Sequence, residues 1–322
     1  MTVDPRPRTA ERSLSAGSGP GPGTGVLPRR RRRRHHGAVV GWLLVAPAAL
    51  FYGVFVLRPL GLTAQYSFYD WNGIGPSTPV GLDNYARILT DPTLYGSLVH
   101  AFQLILFFSG VPVVVGLVVA ATIRRIATSR LALVARTVVF LPQVIPLVAA
   151  GITWSWLLSS RGAVNELLSL VGLGFLTRAW LGDIGTALSA VGVIGAWVLL
   201  GLCTLLLLSG MTKIDPSLYE AARLDGAGPV REFLAVTVPG VRQEIGVCVT
   251  VTVIAALASF DIVYISTQGG PGGATTVPGL QIFYLAFASR DIGQASALAV
   301  VLVLLVLAVV LPVQYVVRRG EQ

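Results

Sequence analysis

The sequence predicts an all-α membrane protein with six transmembrane helices. Three observations predict it. First, the 322-residue chain is 54% hydrophobic and 12% charged, with a mean hydropathy of +0.74; a soluble domain carries about 25% charged residues. So little polar surface makes lipid the natural solvent. Second, the apolar residues gather into runs long enough to cross the ~30 Å of a bilayer interior, separated by Gly-, Pro- and charge-bearing stretches. Third, the basic residues fall unevenly on the two sides that those runs define.

In chain order, Met1 to Gly37 is rich in Pro, Gly, Ser and Arg and lacks apolar periodicity, so it reads as a disordered basic tail. Arg29 to Arg34 are consecutive arginines that repel one another and favour anionic headgroups. The first span, about 38–57, follows directly. Ala46-Pro47-Ala48 resembles a small-residue cleavage site, but the run continues past the ~7–15 residues of a signal peptide and reads as an uncleaved span. Gly61 to Gly96 is polar and aromatic, with a short helix expected around Leu82 to Leu89. Further spans are expected at about 98–123, 134–158, 186–208, 245–266 and 292–317, the third interrupted by Pro142 and Pro146. Together, residues 38–322 form one transmembrane domain. Cys203 and Cys248 lie inside apolar runs without metal-ligand spacing, so they read as small hydrophobic residues. No cofactor and no metal are expected.

Six spans place both termini on one side. Excluding the tail, that side carries ten basic residues and the other carries five: Arg58, Arg87, Arg161, Arg178 and Arg290. The positive-inside rule then puts the termini in the cytoplasm. The net charge of +9 does not indicate nucleic acid, because nine of the 24 basic residues precede the first span, where orientation and anionic lipid account for them.

Asp215 to Pro239 is a polar stretch between two apolar runs, on the cytoplasmic side by this topology. Asp215-Pro216 forms a helix start, with an N-cap oxygen followed by a proline whose missing N–H would be unpaired anyway. Gly226 is placed to end that helix. Gly228-Pro229 starts a second short helix that Pro239 is expected to close. Within this stretch, Glu220-Ala221-Ala222, Gly226, Val236 and Val238-Pro239 are similar to the EAA signature of membrane subunits of binding-protein-dependent ABC importers. Tyr219 and the run Leu224 to Gly228 narrow the resemblance to carbohydrate permeases, of the maltose-like and glycerol-phosphate-like first-permease type. Ser67 to Trp71, Gly81 to Tyr85, Gly162 with Asn165, Phe260-Asp261, Thr267 with Gly269 to Gly272, and Gly293 with Ala295 to Ala297 extend it over about residues 38–317. One departure is Gln243, where the family often has a proline.

This resemblance implies a type I ABC importer permease fold in a bacterial plasma membrane, performing no chemistry itself. It implies four protein partners: a second permease subunit, two ATP-binding subunits and an extracytoplasmic solute-binding protein, with a carbohydrate as cargo. It also implies that 215–239 is a coupling segment. Glu220, Ala221, Ala222, Asp225, Gly226 and Pro239 would form the surface that docks on an ATPase: small residues for close approach, a carboxylate for a basic group and a glycine for the turn. The sequence agrees that ATP binding belongs to another chain. A phosphate-binding G-x-x-x-x-G-K-[ST] loop needs Gly directly before Lys, and Thr212 precedes Lys213, the only lysine.

Along the solute path, Gln143, Asp261 and Tyr264 are the candidate contacts. A carboxylate within a span usually faces a cavity or a partner, although Asp261 also suits a cap for the Gly-rich loop that follows it. Trp154 and Trp156 read first as interfacial anchors. The alternatives are a permease for another polar solute such as glycerol phosphate, and an ion-gradient-driven transporter. The latter predicts several ionisable groups in mid-span, where only Asp261 qualifies.

Overall fold

The structure is a computed structural model that describes residues 34–126 and 129–319. The expected tail, residues 1–37, lies outside the described residues up to its last turn. The chain divides into two compact units at Val56/Leu57. The first contains helix α1 (Arg34–Tyr52), which begins ahead of the expected Ala38. Once an apolar run nucleates a helix, arginine extends it at little cost. Trp42, Leu44, Leu50 and Phe51 on this helix are all exposed, as suits a segment solvated by lipid.

The second unit starts with α2 (Arg58–Tyr66) and a two-stranded antiparallel ribbon, β1 (Tyr69–Asp70) and β2 (Thr78–Pro79), with Tyr69 opposite Pro79. Helices α3 (Asp83–Thr90), α4 (Pro92–Ile105), α5 (Val111–Arg125), α6 (Arg130–Val144), α7 (Leu147–Leu157) and α8 (Ala163–Leu170) follow. Then come α9 (Ala187–Met211), α10 (Pro216–Leu224), α11 (Pro229–Glu232), α12 (Val238–Gly240), α13 (Arg242–Leu257), α14 (Asp261–Ser266), α15 (Pro278–Phe283) and α16 (Ile292–Arg319).

Among the described residues, four helical runs are long and apolar enough to cross a membrane: Gly41–Tyr66, Pro92–Arg125, Ala187–Met211 and Ile292–Val317. Two bent pairs raise the number to six if each is one span: α6 with α7, bent by 100°, and Pro229–Gly240 with α13, bent by 71°. The first bend falls at Ile145-Pro146, where Ile145 is extended (φ −75°, ψ 128°). A proline ring drives the residue before it out of the helical region, so the bend sits at the second of the two prolines singled out in the sequence. Two expectations need correction. The apolar run 245–266 is not one helix, because it breaks between Leu257 and Asp261. Pro239 also does not close the second short helix directly, since α12 carries the helix one residue beyond it.

Three prolines share one solution. Pro59, Pro112 and Pro239 each follow a five-residue π turn, Gly53–Leu57, Leu106–Gly110 and Phe233–Thr237, by two residues. An α-helical proline clashes with the carbonyl four residues back and leaves it unpaired. Here those carbonyls, of Phe55, Phe108 and Ala235, belong to the widened turn, which makes room for the ring.

The core of this unit centres on α9, flanked by α5, α6 and α13. Val191, Ile194, Cys203, Leu207 and Met211 of α9 are all fully buried. The free thiols of Cys203 and Cys248 are buried in the α9/α13 contact. Close approach at the α6 crossing depends on Gly201: a Cβ there would press on the Val139 carbonyl and the Phe140 backbone.

At the opposite end of α9 from α10, polar side chains tie the irregular segments together. Buried Asn84 donates to the carbonyls of Ser67 (3.0 Å) and Tyr69 (2.9 Å), and its own carbonyl accepts from Gln294 Nε2 at 2.9 Å. Tyr85 bonds Ser67 Oγ at 2.7 Å. Buried Asn165 donates to Ser159, Ser160 and Arg178 carbonyls and accepts from Trp180 Nε1. Thr275 joins Thr267 and the Gly270 carbonyl.

Two predictions follow from this packing. Gly201→Val will lower the thermal stability of the purified protein by about 1–3 kcal/mol through overpacking. Gly61→Ala, at a position with open space around it, will not. Asn84→Leu will leave the Ser67 and Tyr69 carbonyls unpaired, at about 1–3 kcal/mol each, and will be seen as faster limited proteolysis between residues 67 and 83.

Candidate functional site

The Asp215–Pro239 stretch folds from local signals. Asp215 accepts a hydrogen bond from the Ser217 amide at 2.9 Å. That bond, given to the ionised form, holds the Asp215 carboxyl below its usual range. Pro216 occupies the first turn of α10. At its end, Gly226 takes φ +76°. Its N–H donates to Arg223 O, and the Ala227 N–H donates to Ala222 O, which is the paired Schellman arrangement. An L side chain at that φ would be strained, so the glycine is set by the turn and not by a neighbour.

Helix α10 has two faces. Glu220, Ala221, Asp225 and Gly226 are exposed, as is Pro239 beyond them, and Ala222 is half-buried. Leu224 is 89% exposed and Leu218 54%. The other face is held. Tyr219 is buried, and its hydroxyl lies 3.2 Å from Thr237 Oγ1. The Arg124 guanidinium, on the last turn of α5, sits 3.8 Å from the Tyr219 ring centroid. Arg223 Nε donates to Glu232 Oε2 at 2.9 Å. These groups surround a cavity of about 230 Å³ lined by Arg124, Arg125, Tyr219, Glu220, Arg223 and Glu232. Lys213 and Glu244 form a further pair at 3.2 Å beside it.

The three candidate path residues are not brought to one point. Asp261 opens α14 just after the helix break. It lines a cavity of about 190 Å³ with Phe108, Leu147, Gly195, Ser259 and Phe260. The buried Ser259 hydroxyl beside it has no hydrogen-bond partner among the described residues. Tyr264 lies one turn on, stacked on Phe260 at 5.2 Å and edge-on to Phe283 at 5.4 Å, so it belongs to an aromatic cluster. Gln143 lies on α6 and is not part of that cavity's lining; its buried Oε1 also lacks a partner among the described residues. The cap proposed for Asp261 is not formed. The hydrogen bonds of the Gly-rich loop are made by Thr267, Thr275, Thr276 and Tyr284. Trp156 is 74% exposed, as an interfacial anchor would be, whereas Trp154 packs edge-on against Trp197 at 5.5 Å.

Sequence reasoning passed over two features. One is Arg124, read there only for its charge. The other is a cavity of about 820 Å³ lined by Thr93, His100, Gln103, Phe107, Ser189 and Thr276, among others. His100 Nδ1 lies 2.9 Å from the Thr276 carbonyl. The signal was present in the sequence, because His100 and Gln103 stand one turn apart in an otherwise apolar run, where polar groups tend to face cavities.

Comparison with known proteins places this geometry. The family model described as "Binding-protein-dependent transport system inner membrane component" matches residues 104–320. A trehalose/maltose transport system permease of Thermococcus litoralis is 32% identical over 273 residues, covering 84% of this chain and 91% of its own. A diacetylchitobiose uptake system permease of Streptomyces coelicolor is 32% identical over 272 residues, covering 80% and 76%. In fold, the chain is similar to a subunit of a bacterial ABC transporter that imports the acidic polysaccharide alginate. The TM-score is 0.74 at 21% identity, over 88% of this chain and 98% of that one. With its apolar helices, its capped helix α10 and this match over most of its length, the chain belongs to the family of inner-membrane components of binding-protein-dependent transport systems.

Proposed function

We propose that the chain is one of two permease subunits of an ATP-driven sugar importer, spanning the membrane six times with both termini in the cytoplasm. The observation that carries this reading is α10. It is a short helix capped at both ends, with small residues and an unusually exposed leucine outward and a locked inner face. Such a helix suits docking into a cleft on an ATPase subunit. Glu220, Ala221, Ala222, Asp225 and Gly226 would form the contact, with Pro239 setting the exit into α13. In this reading ATP is hydrolysed by two partner chains and the solute arrives on an extracytoplasmic binding protein. The permease contributes half of the path and no chemistry. Residues 38–322 act as the permease domain and the basic tail lies at the cytoplasmic face.

Sugar as the solute is supported by the two relatives named for trehalose/maltose and diacetylchitobiose. It is also supported by the cavities beside α4, α9 and α14. The larger sets Thr93, His100, Gln103, Ser189 and Thr276 among apolar residues, the smaller sets Ser259 and Asp261 in a mostly apolar wall, and neither of the two is lined by Arg or Lys, which a phosphate-bearing solute would call for. Asp261 and the unpaired Ser259 hydroxyl are the polar groups best placed to meet a sugar at the helix break. Tyr264 and Gln143 are secondary candidates.

Two experiments test the proposal. In vesicles carrying the reconstituted complex, radiolabelled maltose, trehalose and diacetylchitobiose are offered with ATP inside, or with an ion gradient alone. ATP-dependent uptake of at least one sugar, insensitive to ionophores, is expected; uptake driven by the gradient alone overturns it. Gly226→Val is expected to abolish uptake while leaving the chain inserted. Asp261→Ala is expected to lower uptake efficiency for that sugar by about 5- to 150-fold, the worth of one or two lost polar contacts of ~1–3 kcal/mol. An unchanged KM and kcat would remove Asp261 from the path.

A further inference from the structure

Helix α10 is joined to the membrane helices in two ways through the chain: back to α9 through residues 212–215 and onward to α13 through α11 and α12. Both routes pass through turns: residues 212–214 on the way back to α9, and Gly226 at φ +76° with the 71° bend between Pro229–Gly240 and α13 on the way onward. A nine-residue helix between two turns would swivel under load unless side chains hold it. The structure supplies a third, lateral route. From these contacts we infer that Arg124 and Tyr219 form a stacked joint that fixes α10 to the end of α5, so that displacement of α10 moves α5 and α10 as one body.

Five observations support the joint. Arg124 and Tyr219 belong to different helices and meet face to face, with 3.8 Å from guanidinium carbon to ring centroid. The ring is buried, at 4% exposure, so water does not weaken the stack as it would on an open surface. The ring is oriented from its far end by the hydroxyl contact to Thr237 at 3.2 Å, in the π turn that precedes Pro239. One turn along α10, Arg223 holds Glu232 of α11 at 2.9 Å. The helix is therefore pinned at two points of its inner face, while Ala221 and Leu224 stay outward. Arg124 also stands on the last turn of α5, where a helix C-terminus favours a cation. Because α5 packs along α9, the joint reaches the buried centre of the unit by a path that avoids both turns. The planar guanidinium matters here, since a lysine would keep the charge but not the stack. Arg124 and Tyr219 are positioning residues: they touch neither nucleotide nor solute.

This inference rests on α10 being the ATPase-docking helix, and the test separates the two claims. The full complex is reconstituted, and uptake of the sugar returned by the screen above is measured beside ATP hydrolysis. Tyr219→Leu, Arg124→Ala and Arg124→Lys are each expected to co-purify with the ATPase subunits and hydrolyse ATP. Their uptake should fall about tenfold, inside the roughly 5- to 150-fold range of coupling between sites. Tyr219→Phe keeps the ring and is expected to retain uptake. In a background carrying Cys203→Ala and Cys248→Ala, the pair Arg124→Cys and Tyr219→Cys should lose uptake and regain it when bridged by a short bismaleimide. Wild-type uptake in Tyr219→Leu or in both Arg124 variants overturns the joint. So does a bridge that forms but fails to restore uptake, with or without loss of hydrolysis, because joining α10 to α5 would then not be what uptake needs. If Tyr219→Leu does not fold, the two Arg124 variants and the bridged pair decide. If Gly226→Val imports normally, or the ATPases do not co-purify with the unaltered chain, the docking reading itself falls.

Discussion

A peptide group in hydrocarbon has no water to pair with, and this constraint explains where the chain is irregular and what stands there. Asparagines gather the loose carbonyls: Asn84 takes those of Ser67 and Tyr69, and Asn165 takes those of Ser159, Ser160 and Arg178. Threonines do the same in the Gly-rich loop. Three prolines are accommodated by π turns that move a threatened carbonyl aside. Where the α13–α14 break occurs, the local pairing is incomplete. There Ser259 has an unpaired hydroxyl beside Asp261 and a small cavity. A polar group left unpaired in a buried place can still take a partner, and this is the ground on which that break is proposed for contact with cargo.

A different demand shapes the end of the unit that carries α10, whose surface is largely exposed. The helix could have been a loose linker, since its sequence is polar and its bounding residues are turn formers. It is instead closed on its inner face by an arginine stack, an ion pair and a hydroxyl contact, while its outer face keeps small residues and a bare leucine. Rigidity on one side and exposure on the other are what a helix needs if it is to be pushed by one protein and to move another. The heavily buried α9, which leads directly into it, supplies the rigid backing.

Segments that looked unrelated along the chain turn out to be single clusters. Ser67 to Tyr69, Gly81 to Tyr85 and Gly293 meet around Asn84, with the Tyr69 carbonyl set against the position a Gly293 Cβ would occupy. Asp261 and Tyr264 were grouped by their residue types alone. In space one opens a cavity and the other stacks in an aromatic cluster, while Gln143 stands apart from that cavity on α6. His100 stands in an apolar run with no partner near it in sequence. Its partner is the Thr276 carbonyl, reached only because α4 packs beside the Gly-rich loop.

By itself the sequence determined the membrane class, the approximate helices, the start and end of α10 and the family. The first three follow from composition, from hydrophobic run length and from caps, which act over a few residues, whereas the family was legible only as a resemblance carried by Glu220 to Pro239 and the segments that match with it. The tertiary structure alone decided the break before Asp261, the separation of the candidate path residues and the stack of Arg124 on Tyr219. These depend on which helices distant in sequence pack together. Spacing along a chain carries no information about which faces meet until close packing has selected them.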